Sequence, residues 1–140
     1  MAFVSQSVAL EERSRLFSQV ESFCLELGVV PVFGKGAIAN YSESGARTRA
    51  GDINDFFSDS DVKCILMADG GGLSIKTLPY LNYDLIKSNP KLLCAFSDSS
   101  TLANAIYANT GLPAILIPSI ASALRDPSGD IHSLYEKALF

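Results

Sequence analysis

The chain has 140 residues, 48% of them hydrophobic and 19% charged, which fits one compact domain with a core large enough to fold without a disulfide or metal staple. A net charge of -4, with no run of Lys or Arg, excludes a surface built for phosphate backbones, so nucleic acid is not an expected partner. Its apolar stretches are far shorter than the roughly 20 residues that cross a bilayer, so no membrane association is expected.

The elements predicted in chain order alternate between short apolar runs and longer segments of helical period, the pattern of a parallel α/β sheet. Runs at 2–4, 29–33, 62–67, 92–96 and 114–117 are continuously apolar, as strands covered on both faces should be. A helix is predicted over 9–27, with Phe17, Val20, Cys24 and Leu27 on one face and Gly28 placed to end it. Residues 34–44 read as a loop and 45–57 as a second helix, weakened by Gly51 by about 1 kcal/mol relative to Ala. After the third strand come Asp69, Gly70, Gly71 and Gly72, then a helical stretch over 74–81 interrupted by Pro79. A short helix follows over 83–88, with Asn82 as its cap. Helices over 99–109, closed by Gly111, and over 130–139 complete the chain.

Ligands in open parallel sheets bind beyond the carboxyl ends of the strands, which directs attention to the loops after Met67, Phe96 and Ile117. Ser97 stands where a strand turns at once into a helix, the layout of a nucleophile elbow, and the small residues that so tight a turn requires are present as Ala95 and Ser99. The competing reading is that Ser97 or Asp98 simply caps the helix that follows. A serine hydroxyl also needs a base within reach. The one histidine, His132, lies in a polar segment and reads as a solvated surface residue. The three glycines could cradle a phosphate, although no complete dinucleotide or P-loop pattern is present; alternatively their backbone could approach a reacting carbonyl. In that case the amides of Gly71 and Asp98 would form an oxyanion hole for Ser97.

Cys24, Cys64 and Cys94, an odd number with no Cys-x-x-Cys spacing, argue against a structural zinc site and a secreted disulfide framework. Cys64 and Cys94 read as inert core thiols. With no charged segment ahead of an apolar one at the N-terminus, a reduced, cytoplasmic setting is expected, and the sequon at Asn40, Tyr41 and Ser42 would go unused. Arg47, Arg49, Asp52 and Asp55 read as a solvated, partly paired helix face.

Gly70-Gly71, Leu78-Pro79-Tyr80-Leu81-Asn82-Tyr83-Asp84, Asn89-Pro90-Lys91, Phe96-Ser97-Asp98 and Ala105-Ile106-Tyr107-Ala108-Asn109-Thr110-Gly111 together resemble the LD-carboxypeptidase and microcin C immunity family of serine peptidases. The similar block runs continuously for roughly fifty residues, and weaker similarity extends to Phe3-Val4-Ser5, to Arg49 through Ile53 and to the last helix. The resemblance implies an open, mainly parallel α/β sheet with helices on both faces, flavodoxin-like and similar to the N-terminal domain of class I glutamine amidotransferases. It implies Ser97 as nucleophile, the Gly71 and Asp98 amides as oxyanion hole, and Gly70 and Gly72 as substrate-binding residues. It also implies a peptide substrate with a free C-terminus, a homodimer, and neither metal nor cofactor. The family's catalytic glutamate and histidine belong to a C-terminal domain for which this chain has no residues, and His132 does not align with that histidine.

Two departures stand out: Ala95 replaces a glycine and Asn82 replaces an aspartate. The expectation is therefore a single nucleophile-bearing domain over 1–140, nearly inactive alone. A non-catalytic peptide-binding or assembly module is the alternative, and a phosphate-binding flavodoxin-like domain a weaker third.

Overall fold

In the computed structural model, five strands, β1 (Ala2–Val4), β2 (Val32–Phe33), β3 (Cys64–Met67), β4 (Leu92–Ala95) and β5 (Ile115–Leu116), form one sheet in the order β2-β1-β3-β4-β5, every neighbouring pair parallel. The structure describes residues 2–4, 10–38, 42–67, 71, 72, 74–126 and 128–140. Gly70, Asp69, Ser5, Asn40 and Tyr41, which the sequence reading singled out, lie outside these. The open, flavodoxin-like α/β sheet is as expected, and its strand order reverses between β1 and β3.

Alternation along the central strands divides the core in two. Ile65, Met67, Leu93 and Ala95 face a cluster with Ala50, Ile53 and Phe57 of α2 (Glu43–Ser58), Ile86 of α4 (Tyr83–Ser88), and Leu102 and Ile106 of α5 (Ser100–Thr110). Cys64, Leu66 and Cys94 face the opposite way, against Val20, Phe23 and Cys24 of α1 (Leu10–Glu26), Ile120 of α6 (Ile120–Ala123) and Tyr135 of α7 (Asp130–Leu139). This double burial explains why β3 and β4 are apolar without interruption. The edge strands depart from the expectation: Val32, Ile115 and Leu116 are exposed, because an edge strand has neighbours on one side only.

Local chemistry sets where the elements stop. Gly28, at φ 70°, ends α1 in a left-handed turn in which the Val29 N–H donates to Cys24 O; that donor is then lost to the sheet, and Pro31 has none, so β2 begins only at Val32. Ser42 caps α2 by accepting the Gly45 N–H at 3.1 Å, starting the helix two residues earlier than the apolar spacing predicts. Pro79 divides the stretch after the glycines into α3 (Ser74–Thr77) and a 3-10 turn, Leu78–Tyr80. Asn82 caps α4 as expected, its side chain accepting the Leu85 N–H at 3.0 Å. The sequence reading has no counterpart for α6, whose four residues are too few to display a period, nor for the 3-10 turn Lys35–Ile38. Lys91 ties the start of β4 to the turn before β3, its ammonium donating to Asp59 O at 2.6 Å and Val62 O at 2.7 Å.

The solvated helix face holds in part. Arg47 is exposed and pairs with Glu43 at 3.2 Å, its guanidinium 4.2 Å from the Tyr80 ring centre. Arg49 and Asp52, by contrast, are only 1% and 8% exposed. They are buried because the turn after β2 lies directly on them: the Asp52 carboxylate accepts the Gly36 N–H, and glycine at 34 and 36 lets the backbone come that close. Burial pushes the Asp52 carboxyl up, against the lowering effect of the Gly36 and Lys35 amides.

Opposite outcomes are expected for two glycine-to-alanine substitutions, read as urea unfolding free energies. A Cβ at residue 36 would lie 2.6 Å from Arg49 Cγ and 2.9 Å from its Cα, so Gly36→Ala should destabilise by about 1–3 kcal/mol. A Cβ at residue 51 meets nothing within 4 Å in mid-helix, so Gly51→Ala should stabilise by about 0.5–1 kcal/mol.

Candidate active site

The polypeptide leaves β4 through Phe96, which is still extended (φ -149°, ψ 140°), and then reverses at Ser97 with φ 53°. Among the described residues Ser97 alone, apart from glycines, has positive φ, a conformation that costs a non-glycine residue about 1–3 kcal/mol. The turn is held by its neighbours. Ser99 Oγ accepts the Phe96 N–H at 2.8 Å and donates to Phe96 O at 2.7 Å, while the Ser99 N–H donates to the same carbonyl at 3.1 Å. Ala95 and Ser99, the small residues flanking the serine at two positions, are both buried, so the methyl that replaces the family's glycine is accommodated within the core.

Ser97 itself is exposed, at the start of a 3-10 turn, Ser97–Ser99, that leads directly into α5. The capping alternative does not describe this turn. Ser97 Oγ has no hydrogen-bond partner among the described residues, and the side chain that engages the backbone here is that of Ser99. The Asp98 carboxylate reaches away from its own helix and accepts the N–H of Ser74, the first residue of α3, at 2.9 Å. That contact joins the start of α3, after β3, to the turn after β4. The sequence gives no sign that a carboxylate joins them, since residues 74 and 98 are 24 positions apart.

Gly71 and Gly72 are exposed, and Gly71 has φ 152°, a backbone that other residues rarely adopt. At residue 72 a Cβ would meet nothing within 4 Å, so no neighbour in the fold demands glycine there. The strained serine, the start of the α5 segment and the open glycine loop thus share the carboxyl end of β3 and β4, where a helix start favours developing negative charge.

His132 is not part of this arrangement. It is half-buried rather than fully solvated, its ring edge-on to Phe23 with centroids 4.9 Å apart, on the sheet face opposite α5. Cys24, Cys64 and Cys94 are free and buried, as inert core thiols should be, and burial pushes the Cys24 thiol up to about 11. Among the described residues no group of His, Cys, Asp or Glu side chains could hold a metal ion, and no helix is long and apolar enough to cross a membrane.

Asn82, standing where an aspartate is usual, keeps the capping role. Its own N–H donates to Asn54 Oδ1 at 2.9 Å, while Asn54 Nδ2 donates to Tyr80 O at 3.1 Å, so an asparagine pair fastens the turn before α4 to α2. Either residue type serves a helix cap equally well.

Comparison with known proteins agrees with this geometry. Residues 1–116 match the family model described as the LD-carboxypeptidase N-terminal domain. The microcin C7 self-immunity protein MccF of Escherichia coli is 31% identical over 134 residues, which is 94% of this chain and 39% of that protein. A putative carboxypeptidase of Treponema pallidum is 46% identical over 74 residues, 53% of this chain and 22% of that one. A structure of MccF in its inactive mutant apo state superposes with a TM-score of 0.84 and 32% identity over 99% of this chain and 43% of its own. An MccF-like protein from Bacillus anthracis gives a TM-score of 0.73 at 34% identity over 90% of this chain and 39% of its own. The chain therefore spans about two-fifths of the length of the full relatives it matches across most of its residues. On its sequence, its sheet order and the turn at Ser97, it belongs to the LD-carboxypeptidase N-terminal domain family.

Proposed function

We propose that this chain is the nucleophile-bearing part of a serine carboxypeptidase that hydrolyses the linkage to a peptide's C-terminal residue. The observation that carries the reading is the positive-φ, exposed serine between β4 and α5. Ser97 Oγ attacks the carbonyl carbon, its proton passes to a base, and the C-terminal amine leaves once protonated; water then releases the acyl group by the same steps in reverse. The Gly71 and Asp98 amides hold the oxyanion, and Gly70 and Gly72 border the substrate. The base is the glutamate–histidine pair of a C-terminal domain, as the family resemblance implies. Relatives solved with aspartyl sulfamoyl adenosine and with glutamyl sulfamoyl guanosine support a cleft for aminoacyl or peptidyl compounds.

Because the described residues bring no imidazole to Ser97, a second reading is a peptide-binding or assembly module that retains the cleft without the chemistry. Two assays test these readings, the first separating them and the second probing the cleft both retain. On an LD-linked peptide, the 140-residue chain should work about a thousandfold or more below a complete relative, and Ser97→Ala should remove what remains. A normal rate that Ser97→Ala abolishes would show that the base lies within these residues. In calorimetry, a short peptide with a free C-terminal carboxylate should bind the folded chain; no heat from a folded sample counts against a retained cleft. The chain is further proposed to pair as a homodimer, and sedimentation showing only monomer at micromolar concentration would remove that.

A further inference from the structure

We propose that Asp98 is a positioning residue whose carboxylate, through the Ser74 amide, sets where the glycine loop stands relative to Ser97; the inference rests on the reading of Ser97 as nucleophile. β3 and β4 pair in parallel with Cys64 opposite Leu92 and Leu66 opposite Cys94, so their following loops leave the sheet at one level. The one after β4 is fixed by the three hydrogen bonds between Ser99 and Phe96. The one after β3 carries three successive glycines, the residues with most backbone freedom to lose, and ends in α3, whose four residues are too few to sustain themselves.

The first N–H groups of a helix have no partner within it, so the start of α3 is held from outside, and the acceptor is the Asp98 carboxylate at 2.9 Å. Ser74 is fully buried and Asp98 half-buried, which limits competition for that bond from water. A charged acceptor on the hydrogen-bonded turn thus holds the first residue of α3, three residues from Gly71. The side chain does this independently of the Asp98 backbone N–H, which any substitution other than proline leaves in place.

The test compares wild type, Asp98→Ala and Asp98→Asn, the last retaining an acceptor oxygen. In amide hydrogen exchange by NMR, Asp98→Ala should speed the Ser74 amide about tenfold or more and move the Gly71 and Gly72 resonances, whereas Asp98→Asn should stay within about threefold and leave them near their original positions. Residual cleavage of the LD-linked peptide should slow about tenfold in Asp98→Ala and recover in Asp98→Asn. If Asp98→Ala does not fold, Asp98→Ser, whose shorter hydroxyl cannot span to Ser74, takes its place. Unchanged Ser74 exchange in the Ala variant, or an Asn variant as perturbed as Ala, would overturn the proposal. If Ser97→Ala leaves the residual cleavage of the LD-linked peptide unchanged while the Ser74 and Gly71 signals still respond to Asp98→Ala, the nucleophile reading fails and the anchoring by Asp98 stands.

Discussion

The turn between β4 and α5 constrains everything around it. A residue with a side chain is held at φ 53°, a state that persists only when its surroundings over-determine it. The surroundings do so on both sides. Upstream, Ala95 is locked in a strand paired with β3 and β5 and packed in the core; downstream, the Ser99 hydroxyl closes onto both polar atoms of the Phe96 backbone. Neither flank has room for a large residue, which is why the replacement of a glycine by Ala95 is tolerable where a leucine would not be. The turn leaves the serine exposed beyond the carboxyl end of β4, directly before α5.

That arrangement depends on a sheet that does not shift. The two apolar clusters press on β3 and β4 from opposite faces, and slipping either strand by one residue would exchange the contents of both clusters. Polar contacts then fasten the periphery: Lys91 to the carbonyls of the turn before β3, Asn54 to the turn before α4, and Asp52 to the turn after β2. Each joins a helix or strand to a loop that apolar packing alone would leave loose. The contact from Asp98 to Ser74 is of the same kind, and it joins the two loops that flank the serine.

The two departures from the family motif fall where the structure accommodates them. Asn82 caps as an aspartate would, and Ala95 adds one methyl to a buried strand end. Its length matches about two-fifths of the MccF chain, and within the described residues the His132 ring packs on Phe23, on the sheet face opposite α5.

Element order, fold class and the turn at Ser97 were legible in the sequence because each is decided locally: period distinguishes strand from helix, Gly28 and Gly111 mark helix ends, and small residues around Ser97 mark the tight turn. The family motif is likewise a run of contiguous residues. The edge strands were misjudged because apolar composition does not say how many neighbours a strand has. Arg49 and Asp52 were misjudged because charge predicts exposure until a backbone of the right shape covers it, and that cover, Gly34 to Gly36, is supplied from a different element. The sequence by itself determined the order of elements and the tight turn at Ser97; only the tertiary structure decided which segments meet there, because contacts such as Asp98 to Ser74 join residues that no local period relates.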